Sequence, residues 1–289
     1  MKYKVAFEEF ESINALRHTI NTRPLNKAFE GESELSSQTG DSSFTGTKNY
    51  KEAEDLLVMG WDKHVERFKG GFKGAVTNAP TEKRRPSTGI VGYAPNVPNA
   101  ILGLPNSMIC TERTNQKVKA ITIIYAPTVN CGWGTEEIVN AGLTALKIIN
   151  SIELQGIRVK LVIEGMCATR GNDLSMFTVV VKDYKEAIDI KKICFPVAHG
   201  SMLRRIGFKW LETCPQVTNS GYTSGYGTPL SNNSYESVIA TLKDNGLLKD
   251  NCYYINAPIC RDNKYDPQKV MEAVGMKEVK YDNKDKRSA

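Results

Sequence analysis

The feature that most constrains this fold is an alternation of strand-type and helix-type segments that begins at Val118. Four runs rich in β-branched and apolar residues have the length of buried strands, at residues 118–126, 157–163, 174–181 and 252–257. Segments with helical character lie between and after them, at residues 135–155, 184–212, 235–245 and 267–274. This alternation predicts an α/β protein with a wound sheet and helices on both faces.

Two details of this pattern refine the prediction. The connection between strands 157–163 and 174–181 is too short for a helix, so these strands are expected to be antiparallel, which makes the sheet mixed. The helical stretch 184–212 is expected to be interrupted at Pro196 and Gly200, since neither residue favours a helix interior.

A helical and irregular N-terminal region precedes the predicted sheet. Apolar residues at three- or four-residue spacing predict a helix over 5–20, and an extended polar linker rich in Ser, Gly and Glu follows. A second helix is predicted at 50–59, where acidic residues crowd the first turns and Gly60 follows the last turn. The Pro- and Gly-rich stretch 74–117 cannot form a continuous helix and is expected to be an ordered, irregular cover over the α/β unit.

Composition places the chain among ordinary globular proteins. Of 289 residues, 40% are hydrophobic and 24% charged, which is enough apolar material for a sizeable core. No run of about 18 apolar residues and no leader-like N-terminus is present, so the chain is expected in the cytoplasm and not in a membrane. Seven cysteines without a Cys-x-x-Cys pair are interpreted as reduced thiols. The net charge of +6 is too small and dispersed to indicate a nucleic-acid-binding protein.

Two sets of motifs carry resemblances to known families. The first comprises Ser43-Phe44-Thr45-Gly46-Thr47, Glu52-Ala53, Leu56-Leu57, Gly60-Trp61, Gly92, Val97-Pro98, Leu102-Gly103 and Pro105-Asn106-Ser107-Met108. It resembles a family of uncharacterised proteins encoded by bacteriophages and prophages, from which no activity can be transferred. The second is the order of strand, loop, helix and two strands over 118–181, which is similar to the start of a von Willebrand factor A-like domain.

The second resemblance implies a protein-binding module that often holds a divalent metal at the end of its first strand. The sequence departs from that family here, because the loop offers hydroxyl and amide oxygens but no aspartate of the kind that a hard cation prefers. The degenerate metal set consists of Thr128, Asn130, Thr135 and Asp173. We therefore expect neither a bound metal nor a cofactor.

These resemblances and patterns divide the chain into four parts. They are an N-terminal helix and extended linker (1–42), a helical and irregular region with the phage-type motifs (43–117), a von Willebrand A-like α/β domain (118–276) and a charged tail (277–289).

Two further patterns are typical of binding or catalytic chemistry and also have a structural interpretation. The turn Gly132-Trp133-Gly134-Thr135 stands where many α/β proteins bind phosphate, but it lacks a lysine and is followed by two glutamates. It is interpreted as a helix start with Thr135 as the N-cap. Cys194 and His199 could form a nucleophile pair, yet Cys194 lies in an apolar run typical of a core.

Arginines and aromatic residues in four regions are the candidates for contact with a partner. Tyrosines within the Gly- and Ser-rich loop 219–227 are typical of adaptable recognition loops, and paired arginines mark either a contact surface or the edge of an amphipathic helix. The candidates are Trp61, Arg84, Arg85, Trp133, Arg204, Arg205, Tyr222 and Tyr226.

The function that these observations favour is a non-enzymatic, phage-encoded, protein-binding protein of the host cytoplasm. Its partner would be a host defence factor or a phage assembly component, and a homo-oligomer is also compatible with the sequence. One alternative is a nucleic-acid-binding protein that uses the basic stretch 63–85 for phosphate contact and its aromatic residues for stacking. Others are a structural protein of the virion and an enzyme whose site lies on the loops after the strands.

Overall fold

The computed structural model describes residues 2–30, 35–70, 83–114, 120–217 and 226–276, with only the backbone at 83–85 and 112–114. The strands are β1 (Lys4–Phe10), β2 (Lys83–Gly89), β3 (Ala94–Pro95), β4 (Met108–Thr114), β5 (Ala120–Ala126), β6 (Arg158–Arg170), β7 (Asp173–Lys182), β8 (Thr228–Pro229) and β9 (Cys252–Asn256). The α-helices are α1 (Ile13–Thr22), α2 (Ser42–Thr45), α3 (Tyr50–Met59), α4 (Val65–Gly70), α5 (Val97–Ile101), α6 (Thr135–Leu154), α7 (Ile190–Ala198), α8 (Phe208–Thr213), α9 (Tyr235–Asp244), α10 (Ala257–Asp262) and α11 (Pro267–Ala273). A π-helix, Met202–Gly207, leads directly into α8.

The main sheet has six strands in the order β1-β7-β6-β5-β9, with β8 attached to β6. Strands β5, β6 and β9 are parallel to one another, β7 is antiparallel to β6, and β1 is parallel to β7. The predicted mixed α/β sheet and its antiparallel hairpin are therefore confirmed. Strands β1 and β7 run opposite to β5, β6 and β9. The carboxyl ends of these two parallel groups therefore lie at opposite ends of the strands.

Helices cover both faces of this sheet, as predicted. The larger core lies under α1, α3, α6, α7 and the π-helix, and contains fully buried residues such as Leu16, Leu146 and Val197. The smaller core lies on the opposite face, where Val238 and Leu242 of α9 belong to one cluster with residues of β5 and β7. Apolar burial on two faces explains why the central strands read as continuous apolar runs.

The predicted helix over 5–20 is wrong in its first half, because residues 4–10 form strand β1. Phe7 and Phe10 have helical spacing, but the strand contributes to both cores: Ala6 and Phe10 to the larger, Val5 and Phe7 to the smaller. A strand covered on both faces shows no alternation, so its pattern does not differ from that of a short helix.

Helix α1 begins only after β1 has ended. The Ser12 side chain accepts a hydrogen bond from the Ala15 N–H at 3.1 Å, which is a standard N-cap. At the outer edge of β1, the Phe7 N–H donates to Gln216 Oε1 at 3.0 Å, so a side chain occupies a position where a further strand could pair. The N-terminal segment thus belongs to the sheet assigned by sequence to 118–276.

The predicted break at Gly200 is observed, but Pro196 lies inside α7. A proline removes one helical hydrogen bond, and α7 tolerates that loss because its residues Phe195, Val197 and Ala198 are completely buried. The helix is therefore maintained by tertiary packing.

Residues 83–114, which we call the arm, form a second sheet of three antiparallel strands in the order β2-β4-β3. The irregular cover expected over 74–117 is wrong for this described portion: of the side chains described between 86 and 111, none belongs to either core. Pairing of β2 with β4 satisfies the backbone within the arm, so the segment needs no cover from the body. Across the described ranges, no helix has the length and apolarity to cross a membrane.

Candidate functional site

The end of the arm that is distant from its first and last residues carries a concentration of exposed apolar side chains. These residues, within 90–104, are called the tip. Seven large apolar side chains there are 47–82% exposed, namely Ile90, Val91, Tyr93, Val97, Ile101, Leu102 and Leu104. The other exposed large apolar residues in the described parts of the chain are scattered singly. A contiguous apolar surface is the usual mark of a protein-interaction site.

Polar groups of the tip are used to hold its own backbone. Asn96 caps α5 by accepting from the Asn99 N–H, and its own N–H donates to Ser107 O at 2.7 Å. Asn99 Nδ2 donates to Asn106 O at 3.2 Å. The asparagine side chains thus bond to the main chain of the tip, while its large apolar side chains remain exposed.

Gly92 explains how the turn before β3 closes. The Tyr93 N–H donates to Ile109 O at 2.9 Å, and a Cβ on residue 92 would lie 2.1 Å from that same carbonyl oxygen. Only glycine allows this backbone approach. The tip therefore has a defined conformation although its side chains belong to neither core.

The arm separates charge from apolar surface along its length. The 26 residues from Pro86 to Thr111 include no charged residue, although 24% of the chain is charged. Charges return at the root of the arm, with Lys83, Arg84 and Arg85 on β2 and Glu112 and Arg113 on β4. This charge-free run is the sequence signal that could have identified the tip, which was absent from the predicted candidates.

A second surface feature is a pocket of about 870 Å³ at the carboxyl ends of β1 and β7, where α1 and α7 begin. Its apolar floor includes Ile13, Leu57, Val58, Val181 and Ile193. Its charged lining consists of the acids Glu11, Asp183, Glu186 and Asp189 and of Lys160 and Lys192. The carboxyl ends of parallel strands are the usual place for ligands in open α/β sheets. We call this feature the acidic-rimmed pocket.

Arg205, predicted as a contact residue, is instead fully buried beneath the segment 37–48. Its guanidinium donates to five main-chain carbonyls, those of Ser37, Thr39, Gly40, Thr47 and Lys48, and to the Thr45 hydroxyl. The π-helix places this side chain directly against the phage-type motif Ser43–Thr47. Arg205 therefore holds that motif in place.

The rest of the motif is held by neighbours of Arg205. The Ser201 hydroxyl donates to Thr45 O at 2.6 Å and contacts the Thr47 hydroxyl at 2.9 Å. Gly46 has a φ of +87°, and a Cβ there would lie 2.9 Å from His199 Cε1. The glycine of the motif is thus required by both backbone conformation and space.

Arg204 is also buried, so the predicted partner surface at the paired arginines is not observed. It donates to the carbonyls of Phe44 and Asn130 and lies 4.1 Å above the Phe44 ring. This arginine joins the phage-type motif to the loop that follows β5.

The two tryptophan candidates are packing residues as well, each 7% exposed. Trp133 is covered by the Arg261 guanidinium, 4.2 Å from the ring centre. Trp61 lies edge-on between His64 and His199, at 4.9 and 4.6 Å. Such burial leaves little of either indole for contact with a partner.

The last candidate loop is described in part. Tyr226 donates to Glu212 Oε1 at 2.6 Å and packs against Phe29 and Phe208, so it connects elements of the fold. Tyr222 lies outside the described residues, as do the side chains of Arg84 and Arg85.

The possible nucleophile pair and the predicted helix cap have structural roles. Cys194 is fully buried, and burial raises the pKa of its thiol to about 12, while burial lowers the pKa of His199 to about 4. A protonated thiol and a neutral imidazole agree with the core interpretation. The N-cap of α6 is Gly134, not Thr135, and the Gly134 N–H donates to Glu137 Oε2 at 2.9 Å.

The degenerate metal set is not assembled. The Thr128 hydroxyl faces Glu164 O at 3.5 Å, and Asn130 bonds to Asn232 in the same region. Asp173 lies opposite Arg170, which is six residues beyond Glu164 on β6. These six residues of strand place Asp173 roughly 20 Å from Thr128. Within the described ranges, no group of three His, Cys, Asp or Glu side chains could hold a metal ion.

In and beside the described part of the basic stretch 63–85, the aromatic rings that would stack on bases are buried. Phe68 is completely buried, and Trp61 is nearly so. Arg67 pairs with Glu136 at 2.8 Å, and Lys69 pairs with Glu66 at 2.8 Å. These contacts fit a solvated helix face better than a groove for single-stranded nucleic acid.

One buried acid, Glu164, was not recognised from the sequence. It lies on β6 at a shift in the register with β7, and Tyr254 donates a hydrogen bond to its Oε2 at 2.8 Å. Burial raises the pKa of Glu164 to about 7, because a carboxylate loses its hydration there, and the tyrosine offsets only part of that cost.

This raised pKa predicts a stability that falls as the pH rises. The folded-state pKa of about 7 exceeds the ordinary value of 4.5, so the stabilisation is complete below pH 4.5 and is lost as the pH rises through 7. The expected loss is about 3 kcal/mol across that window. Glu164→Gln should remove it, and should exceed the parent protein in unfolding free energy by a similar amount at pH 8. Denaturant unfolding at pH 4.5 and pH 8 measures this, with exposed Glu236→Gln as the control. An equal difference between Glu164→Gln and the parent protein at both pH values would contradict it.

A six-stranded mixed sheet with helices on both faces, together with the three-stranded antiparallel sheet of the arm, defines a mixed α/β protein. The chain belongs to the family described as a domain of unknown function, DUF7192, whose model matches residues 1–279. That match includes the arm as well as the sheet. Comparison with curated proteins and with solved structures gives no match.

Proposed function

We propose that this chain is a non-enzymatic, phage-encoded, protein-binding protein that docks on its partner through the tip of the arm. The observation that carries the proposal is the cluster of seven exposed large apolar side chains on an uncharged segment outside both cores. The phage origin rests on the motif resemblance over 43–110. The partner would be a host defence factor or a phage assembly component.

The energetics of the tip favour binding. Burying one Val, Leu or Ile side chain contributes about 1.5–3 kcal/mol. Several such side chains on one surface therefore suffice for a specific contact. Because hydrogen bonds of Asn96 and Asn99 already fix the tip, little ordering cost opposes association.

The same features indicate the chemistry of the partner surface. An uncharged tip requires a cleft whose buried floor is apolar, since a charge covered by the tip would lose hydration without a counter-ion, whereas charges at the rim stay hydrated. The root carries four basic residues and one acid, so the surroundings of that cleft are expected to be acidic. A nucleic acid does not fit the tip, which has no cation for its phosphates.

Site-specific photo-crosslinking tests the docking surface in infected cells. A photoreactive amino acid at Tyr93 should capture one defined protein other than the chain itself, whereas the same group at Met59 should not. The two positions are a matched pair, because both are 72% exposed. The captured protein is then purified, and its affinity for the chain is measured.

The quantitative prediction concerns Ile101→Asp. A carboxylate at the centre of the tip should weaken binding to the purified partner about 100-fold, as for removal of a central interface residue. Met59→Asp should leave the affinity unchanged. Unaltered affinity of Ile101→Asp, measured by calorimetry on a variant with the parental melting temperature, would refute the proposed function.

The two partner classes are distinguished by where the protein is found. Mass spectrometry of purified particles and of infected-cell lysate should show many copies per particle if the partner is an assembly component. Abundance in the lysate without incorporation would indicate a host protein as the partner.

A further inference from the structure

We infer that the chain also binds a second copy of itself, with the tip of each copy docked in the acidic-rimmed pocket of the other. This inference rests on the proposed function of the tip and adds a second copy of the chain to the partner proposed above. Reciprocal exchange of two arms forms a closed dimer with the same contact made twice.

The first argument is the match between tip and pocket in apolar character. The pocket has about 870 Å³ and a floor of aliphatic side chains, including Val58 and Val181. Pockets of this size enclose several side chains or a small ligand. The tip presents Ile101, Leu102 and Leu104 within four residues of one another, all exposed. Docking removes both surfaces from water at once.

The second argument is charge. Four carboxylates and two lysines line the pocket, whereas four basic residues and one acid stand at the root of the arm. Five to seven residues of strand separate root from tip, roughly 16–23 Å. The opposite charges therefore steer the approach of the arm and fix its direction instead of forming contact pairs.

The third argument is that both surfaces are available in a single copy. The tip side chains are exposed, and the pocket is open beside α1 and α7. Each copy thus offers one apolar projection and one apolar recess, which is the condition for a contact between identical chains.

Analytical ultracentrifugation of the full chain tests the dimer. The parent protein should sediment as a dimer at micromolar concentration, and the dissociation constant should rise at least 30-fold in Ile101→Asp and in Val58→Asp. The matched control for the pocket is Met59→Asp, the next residue on α3, which does not line the pocket. Melting temperatures confirm that each variant is folded.

Mixing the two variants supplies the decisive result. A copy with Ile101→Asp retains its pocket, and a copy with Val58→Asp retains its tip, so the mixture should regain one of the two contacts and form a heterodimer. Crosslinking from position 93 of ¹⁵N-labelled copies to unlabelled copies should join the tip of one chain to the pocket of the other.

Three results would overturn this inference: a monomer up to 100 μM, a dimer that both variants retain, or crosslinks confined to one chain. None of them depends on the affinity for a captured partner protein. A monomer whose Ile101→Asp variant still loses that partner would disprove self-association and leave the proposed function intact.

Discussion

Replacing Arg205 with Ala should lower the free energy of unfolding by about 4 kcal/mol, the range for breaking a buried and bonded charge site. The change leaves five main-chain carbonyls without their donor, and the bonds to two of them, those of Ser37 and Thr47, are fully buried. Each such loss is costly, because these groups cannot all regain water. The segment 37–48, which carries the phage-type motif, should then detach from the π-helix.

Denaturant unfolding measures the stability change, and limited proteolysis within 37–48 measures the detachment. Arg205→Lys should be intermediate, because an ammonium keeps the charge but has fewer donors and no planar fork. Arg67→Ala, at an exposed ion pair with Glu136, is the control and should change stability by less than about 1 kcal/mol. A change of that small size in Arg205→Ala would show that the motif is held by other contacts.

Trp210→Ala is expected to have a comparable effect, about 4 kcal/mol. Trp210 is the largest of the fully buried side chains, and its ring centre lies 5.1 Å from that of Phe177. Its Nε1 also donates to Glu8 Oε2 on β1 at 2.7 Å. The substitution therefore removes core volume and loosens the N-terminal strand together.

Hydrogen exchange separates these two effects. In Trp210→Ala, amide protection should fall along β1 more than along the central strand β5. Trp210→Phe keeps most of the ring but loses the N–H, so it should cost about 1 kcal/mol, because Arg23 still binds Glu8 at 2.8 Å. Equal protection of β1 in the parent protein and in Trp210→Ala would mean that the strand does not depend on this tryptophan.

The sequence predicted those elements whose ends carry local signals. Helix α6 was expected at 135–155 and is observed at Thr135–Leu154, because acidic residues mark its first turn and Gly156 follows its last turn. Helix α3 was predicted with its correct ends for the same kind of reason. Strand β1 carried no such signal, since its identity depends on pairing with a strand more than 160 residues away.

The candidate site was less predictable than the fold. Arginine and tryptophan are common at interfaces, but Arg204, Arg205, Trp61 and Trp133 all find partners within this chain, and residue type alone cannot distinguish the two situations. The tip was overlooked for the opposite reason. Apolar residues suggest burial, and only the tertiary structure shows that those at 90–104 remain outside both cores.

The parallel pairing of β1 with β7 has a consequence for biosynthesis. Phe10 ends β1 and Asp173 begins β7, 163 residues later. At a translation rate of about 5–20 residues per second, the first strand waits roughly 10–30 s before its partner leaves the ribosome. The sheet therefore cannot assemble from its N-terminus as the chain emerges. Its earliest apolar residues must instead be kept from wrong contacts until most of the polypeptide has been made.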